Sequence, residues 1–198
     1  MPKKMLLIRT DSEQIPDDHV EAFTKMAKQL NIDITLKDIN SLDELEGCLT
    51  GSNKYVCFAG HGNASSFGDN KNLSIEWSKI AELLCQKGCF VHNAKILLYC
   101  CFGGLEQVSC SLMDSCPKLD FIIGCKTQIS SIDMLNAFNI FLYNMERNHH
   151  MGDEKAAHRA LYATGISLRH YSRNEFNEKT QEYVCQKCEE YKQQNNCS

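Results

Sequence analysis

Two short stretches of this chain carry residue types able to do covalent chemistry. They are Ala59-Gly60-His61-Gly62 and Cys100-Cys101-Phe102-Gly103-Gly104. Each follows an apolar run that reads as a buried strand, Tyr55 to Phe58 before the histidine and Ile96 to Tyr99 before the cysteines. Neighbouring parallel strands deliver their C-terminal residues to one edge of a sheet, where open α/β folds bind ligands. A thiol and an imidazole at such an edge form a nucleophile and its base. The imidazole raises the small thiolate fraction that a free thiol has at neutral pH. Acyl transfer also needs donors aimed at the developing oxyanion. The backbone N–H groups of Gly62 and Cys101 are candidates, because glycine permits close approach and Cys101 begins a strand-to-helix turn. The expected chemistry is that of a cysteine hydrolase with His61 and Cys101 as catalytic residues.

The surrounding pattern alternates strand and helix. Met5 to Ile8 reads as a strand and Pro16 to Leu30 as a helix, with Val20, Phe23, Met26, Ala27 and Leu30 at helical spacing. Ile32 to Ile39 alternates like a second strand, and Ser41-Leu42-Asp43-Glu44 opens a short helix as a capping box. The strand Lys54 to Ala59 leads to His61. Asn63 to Asn72 reads as a Gly, Ser and Asn rich loop, followed by a helix over Ile75 to Gln86 capped by Ser74. Lys95 to Tyr99 and Leu119 to Gly124 read as two more strands, with a helix from Gly103-Gly104 to about Met113 between them. Helices over Asp133 to Arg147 and Gly152 to Leu168 precede a polar helical tail from about residue 172. These readings predict one α/β domain spanning residues 1–198. Its sheet is mostly parallel, of about five to six strands, with helices on both faces.

Composition narrows the partners. The chain has 198 residues, 43% of them hydrophobic and 23% charged, which suits a globular domain with its own core. Its formal charge of −4 gives no electrostatic reason to expect nucleic acid or an anionic membrane as partner. The apolar run after Lys3-Lys4 is too short for a signal peptide, and no segment is long enough to span a bilayer. Of twelve cysteines, Cys57, Cys85, Cys100 and Cys125 lie in apolar runs, where reduced cysteine acts as a small hydrophobe. A reducing, cytoplasmic setting with free thiols is expected rather than a disulfide framework. Cys185-x-x-Cys188 supplies two zinc ligands where a structural site needs four, so it reads as surface thiols. No metal and no cofactor is expected.

With these residues in view, the chain resembles a family. Val56-Cys57-Phe58-Ala59-Gly60-His61-Gly62 is similar to the strand-His-Gly element of caspase-like cysteine peptidases, the group of caspases, metacaspases, gingipains, separases and CHAT domains. Ile96-Leu97-Leu98-Tyr99-Cys100-Cys101-Phe102-Gly103 resembles the caspase strand ending in Gln-Ala-Cys-Arg-Gly, which follows its histidine by about fifty residues. The match aligns Cys101 with the nucleophile. Tyr99 and Cys100 depart from Gln and Ala, which rules out close caspase kinship and leaves Cys100 as a lesser nucleophile candidate. Phe121 to Gly124, Asp133, Phe138 to Tyr143 and the Ala-rich helix Lys155 to Ala163 are similar to the segment after the catalytic strand in CHAT and separase domains. The resemblance spans about residues 50 to 165.

The resemblance implies a caspase-like α/β/α sandwich and an endopeptidase acting on a protein substrate after one particular P1 residue. In the family the S1 pocket draws on residues after the first strand and after the catalytic strand. Here these include Asp11 and Asp133 on the acidic side and Arg9 on the basic side, with Asp133 better suited to capping its helix. A basic P1 residue, met by Asp11 or Asp133, is the expectation. Small bacterial relatives look like defence or cell-death effectors, switched on by an activating protein or a small signalling ligand. Two other readings compete: a non-catalytic caspase-like signalling or scaffold domain, and another Cys-His α/β hydrolase of the amidotransferase type. In the latter the histidine follows a cysteine on a glycine-flanked elbow, unlike the order here.

Overall fold

The computed structural model describes residues 2–69, 71–147 and 151–182. The expected Cys185-x-x-Cys188 pair and the tail anchors Tyr183, Val184 and Tyr191 lie outside them.

The first half of the chain supplies β1 (Lys3–Arg9), α1 (Asp17–Gln29), β2 (Ile32–Asp38), α2 (Leu42–Cys48) and β3 (Asn53–Ala59). Three short strands follow, β4 (His61–Gly62), β5 (Ser66–Gly68) and β6 (Ser74–Glu76), and then α3 (Trp77–Lys87). The second half supplies β7 (Phe90–Tyr99), α4 (Glu106–Ser115), β8 (Leu119–Cys125), α5 (Ser131–Arg147), α6 (Asp153–Thr164) and β9 (Leu168–Ser172). Residues 173–182 are helical.

Six strands form the main sheet in the order β2-β1-β3-β7-β8-β9. All neighbours are parallel except β8 and β9. Because the sheet is covered on both faces, its inner strands are apolar on both sides, and the sequence reads there as unbroken hydrophobic runs. Leu6, Ile8, Val56, Phe58, Ile96 and Leu98 face one layer, with Leu45 of α2, Ile80 and Leu84 of α3 and Leu112 of α4. Met5, Leu7, Tyr55, Cys57, Leu97 and Tyr99 face the other, with Phe23 of α1, Phe138 and Phe141 of α5 and Ala156 of α6. The α/β class, the mostly parallel sheet and the helices on both faces are as the sequence predicts.

Three local readings need correcting. The stretch expected as a loop after His61 holds β5, which pairs antiparallel with β4 and β6 in a second, three-stranded sheet. Asn63 Oδ1 accepts the Ser65 and Ser66 N–H groups, and Asp69 Oδ1 accepts those of Lys71, Asn72 and Leu73. These side-chain turns resemble loop chemistry in sequence while shaping hairpin ends in space. The buried Phe67 packs with Phe58 and Trp77 at ring-centroid distances of 5.4 and 5.7 Å, which holds the hairpin to the main sheet. Ser74, expected as a helix cap, lies in β6, and α3 starts only at Trp77. The last predicted helix stops early: Gly165, at φ 74°, ends α6, and Leu168 to Ser172 returns as an edge strand. The glycine was the stop signal in that stretch, and alanine periodicity obscured it.

Candidate active site

The sheet order reverses between β1 and β3, because β1 leads outward to β2 and β3 lies on its other side. Such a reversal opens a crevice at the C-terminal ends of the two strands. The register across it is direct. Arg9 pairs with Ala59, and Ala59 pairs with Tyr99. Asp11, His61 and Cys101 each stand two residues beyond that row. Side chains alternate along a strand. The three therefore inherit the face of Ala59 and Tyr99, the one covered by α1 and α5.

His61 begins β4, half-exposed, with its ring Nε2 3.2 Å from Asp11 Oδ2. The Asp11 side chain is only 9% exposed. Its other oxygen accepts the N–H groups of Glu13 (2.9 Å) and Gln14 (3.1 Å), which fixes the carboxylate at the end of β1. Asp11, expected in an S1 pocket, thus touches the histidine directly. The sequence did not suggest this contact, since fifty residues separate the two. Arg9 is engaged elsewhere: its guanidinium bonds Asp38 and Asp17 and the Ile15 carbonyl.

Cys101 follows β7 in a tight turn. Phe102 takes a left-handed backbone, φ 59°, which is uncommon for a residue with a side chain. Phe102 N–H donates to Thr127 O at 3.3 Å and Gly104 N–H to Cys125 O at 2.8 Å, so the segment after β8 pins the turn. Cys101 is 9% exposed. Its Sγ accepts from Ile129 N–H at 3.4 Å and donates to Ile129 O at 3.6 Å. Ile129 was not anticipated as part of the site, and no sequence pattern marks it. Among the described residues, no hydrogen bond joins His61 to Cys101.

Cys100 differs sharply from its neighbour. By alternation it turns to the opposite face, into the core between Leu98, Val108 and Phe58. Burial pushes its thiol well above the ordinary range, and the nearby thiols of Cys101 and Cys57 act in the same direction. Gly62 lies against this turn. A Cβ on Gly62 would stand 2.7 Å from both Cys100 Sγ and Cys101 O. Glycine is therefore what lets the histidine-bearing chain touch the cysteine-bearing one. Gly62 and Cys101, the expected oxyanion donors, meet here.

A small cavity of about 10 Å³ adjoins Cys101, walled by Gln14, Ile15, Tyr99, Ile129, Ser131 and Met134 among others. That is room for one water at most. Asp133 is exposed at the start of α5, where its N–H donates to Ser130 Oγ and its carboxylate accepts from the same hydroxyl at 2.6 Å. It reaches the cavity only through Ser130, one of the lining residues. Among the described residues, no cluster of three or more metal-ligating side chains forms, and no helix is long and apolar enough to cross a membrane.

No family model and no curated protein sequence matches the chain. Solved structures similar to it include two of a cysteine proteinase. One is the Arg-specific cysteine proteinase gingipain R, at TM-score 0.54 and 12% identity, covering 81% of this chain and 42% of that chain. The other is the complex of Porphyromonas gingivalis RgpB pro- and mature domains, at TM-score 0.56, 13% identity and the same coverage. The likeness is one of fold. This chain spans well under half the length of either.

Proposed function

We propose that the protein is a cysteine endopeptidase with Cys101 as nucleophile and His61 as general base. The observation that supports this most is the common row of Asp11, His61 and Cys101 beyond the paired residues Arg9, Ala59 and Tyr99. Strands in that row lie about 4.8 Å apart, a spacing that suits thiol–imidazole contact. The fold shared with cysteine proteinases agrees with the reading.

In this mechanism His61 Nε2 faces Asp11, leaving Nδ1 to take the Cys101 proton. The thiolate attacks the scissile carbonyl, and the N–H groups of Gly62 and Cys101 hold the oxyanion. The imidazolium then protonates the departing amine, which leaves an acyl-thioester on Cys101. His61 next takes a proton from water, whose oxygen attacks the thioester. The C–S bond breaks, the peptide carboxylate leaves and the thiol is restored. Asp11 orients the imidazole through its contact with Nε2, so it is a positioning residue acting through His61. Its carboxylate is also largely buried and bonded to the N–H of Gln14, a cavity residue, which supports a basic P1 residue, as does the Arg specificity of the gingipain.

The closed cavity and the Ile129 clasp on Cys101 fit a resting state. A substrate side chain enters only after residues 126–130 move aside, and an activating protein or small ligand could drive that movement. The direct test is hydrolysis of fluorogenic peptides with Arg, Lys, Asp and Leu at P1 by the wild type and Cys101→Ala. Cleavage after Arg and Lys that vanishes in the variant is expected. Cleavage that persists without Cys101 would reject the assignment.

A further inference from the structure

We propose that Gln14 selects the P1 side chain, its amide oxygen accepting a hydrogen bond from an N–H group at the end of that side chain. The inference rests on the peptidase reading for the role of the cavity beside Cys101, and its test separates the two.

Gln14 walls that cavity together with Cys101. Its Oε1 is shielded from solvent and accepts no hydrogen bond among the described residues. A buried acceptor without a donor is unusual in a folded protein and calls for a ligand or a water. With about 10 Å³ free, the closed cavity leaves little room for water. Two other acceptors near it are occupied. Ile129 O takes the Cys101 thiol, and Ser131 O takes the Tyr99 hydroxyl at 2.5 Å. No Asp, Glu, Lys or Arg lines the cavity. Selection at its wall therefore depends on hydrogen-bond donation, while Asp11 supplies charge from outside the lining.

The segment bearing Gln14 is held at both ends. Gln14 N–H donates to Asp11 Oδ1, and Ile15 N–H donates to Asp11 O at 3.0 Å. Ile15 is buried, and its carbonyl accepts from Arg9 Nη1 at 2.9 Å. The same aspartate that holds His61 thus sets the backbone of Gln14, which couples the position of the base to the position of the specificity residue. Arginine suits this acceptor because its planar guanidinium carries several N–H donors. Sites that hydrogen-bond a substrate N–H discriminate strongly against analogues lacking it, since the protein acceptor is then left unpaired.

The test uses the full chain and three peptidyl chloromethyl ketones that differ only at P1: arginine, citrulline and norleucine. Each forms a thioether with Cys101 and releases chloride, and mass spectrometry follows the rate. Citrulline keeps the Nε–H and one terminal NH2 of arginine without its charge. The wild type should react about tenfold or more faster with the arginine and citrulline reagents than with norleucine. Gln14→Met, of similar length but without the acceptor, should bring the citrulline ratio close to one and lower the arginine ratio to the part that Asp11 supplies by charge, with unchanged labelling of Cys101 by iodoacetamide. Gln14→Glu should retain the arginine preference. Equal rates for all three reagents in the wild type, or an undiminished preference in Gln14→Met, would overturn the assignment. Hydrolysis of a matched Arg amide is read separately. Selective alkylation without hydrolysis would sink the peptidase reading and leave the role of Gln14 standing.

Discussion

At the C-terminal edge of the sheet the two faces are built to opposite ends. On the face of α3 and α4, Cys100 is packed among Leu98, Val108 and Phe58, with Gly62 lying close against its sulfur. On the face of α1 and α5, one residue further along, Cys101 sits beside a backbone clasp, a small cavity and the row that includes His61 and Asp11. The same atom type is core filler on one side and the proposed nucleophile on the other. What separates them is the two-residue period of a strand and the depth of burial it imposes, not the chemistry of the side chain.

The largest effect expected from breaking this contrast is on activity. Cys101→Ala should lower peptide hydrolysis by at least about 10³-fold, while Cys100→Ala keeps activity within about threefold and costs about 1 kcal/mol of stability for the lost core volume. Fluorogenic hydrolysis and urea titration of both variants would check this. The reverse pattern would move the nucleophile to the other face.

Asp11→Asn comes next. Without the carboxylate beside its Nε2, His61 loses the contact that fixes its ring orientation, so kcat should fall about 10²-fold. Alkylation of Cys101 by iodoacetamide should slow as well. If alkylation is unchanged and only KM for Arg peptides rises, Asp11 serves the substrate alone.

Gly62→Ala probes the seam between the faces. Its Cβ would collide with Cys100 Sγ and with Cys101 O, and the second of these is backbone and cannot swing away. Activity should fall about tenfold with a lowered Tm. Adding Cys100→Ala should recover stability more than activity, which differential scanning fluorimetry and hydrolysis assays would resolve.

The smallest effect is a pH dependence shared by the filler thiols. Burial pushes Cys48 and Cys89 up to about 11 and Cys116 up to about 12. In the unfolded chain these thiols ionise near their ordinary value, about 8.5, so between there and pH 11 the folded state holds more protons. Stability should therefore decline as pH rises through that window and stay flat below it. Denaturant titrations from pH 7 to 10.5 would show the slope. Replacing Cys48, Cys89 and Cys116 together by Ala should flatten it.

The sequence carried much of this architecture because the signals were local. Alternation and apolar runs marked most of the sheet's strands, and Ser41 caps α2 through Glu44 N–H as its motif indicates. His61 and Cys101 were legible because glycines and strand ends flank them, and their odd numbering matches the register that places both on one face. The edge strand β9 and the hairpin around Phe67 were not legible, since five-residue and three-residue strands make no period of their own and owe their pairing to distant partners.

Only the tertiary structure could place Asp11 against His61, Ile129 against Cys101 and Gln14, with its unpartnered oxygen, on the wall of the cavity beside Cys101. These contacts join segments after four different strands, and their distances follow from sheet order and register rather than from any spacing along the chain. Residue types and local periodicity thus specified which groups could react. The choice between Cys100 and Cys101, and the company each keeps, came from which face of a shared sheet the chain turned each toward.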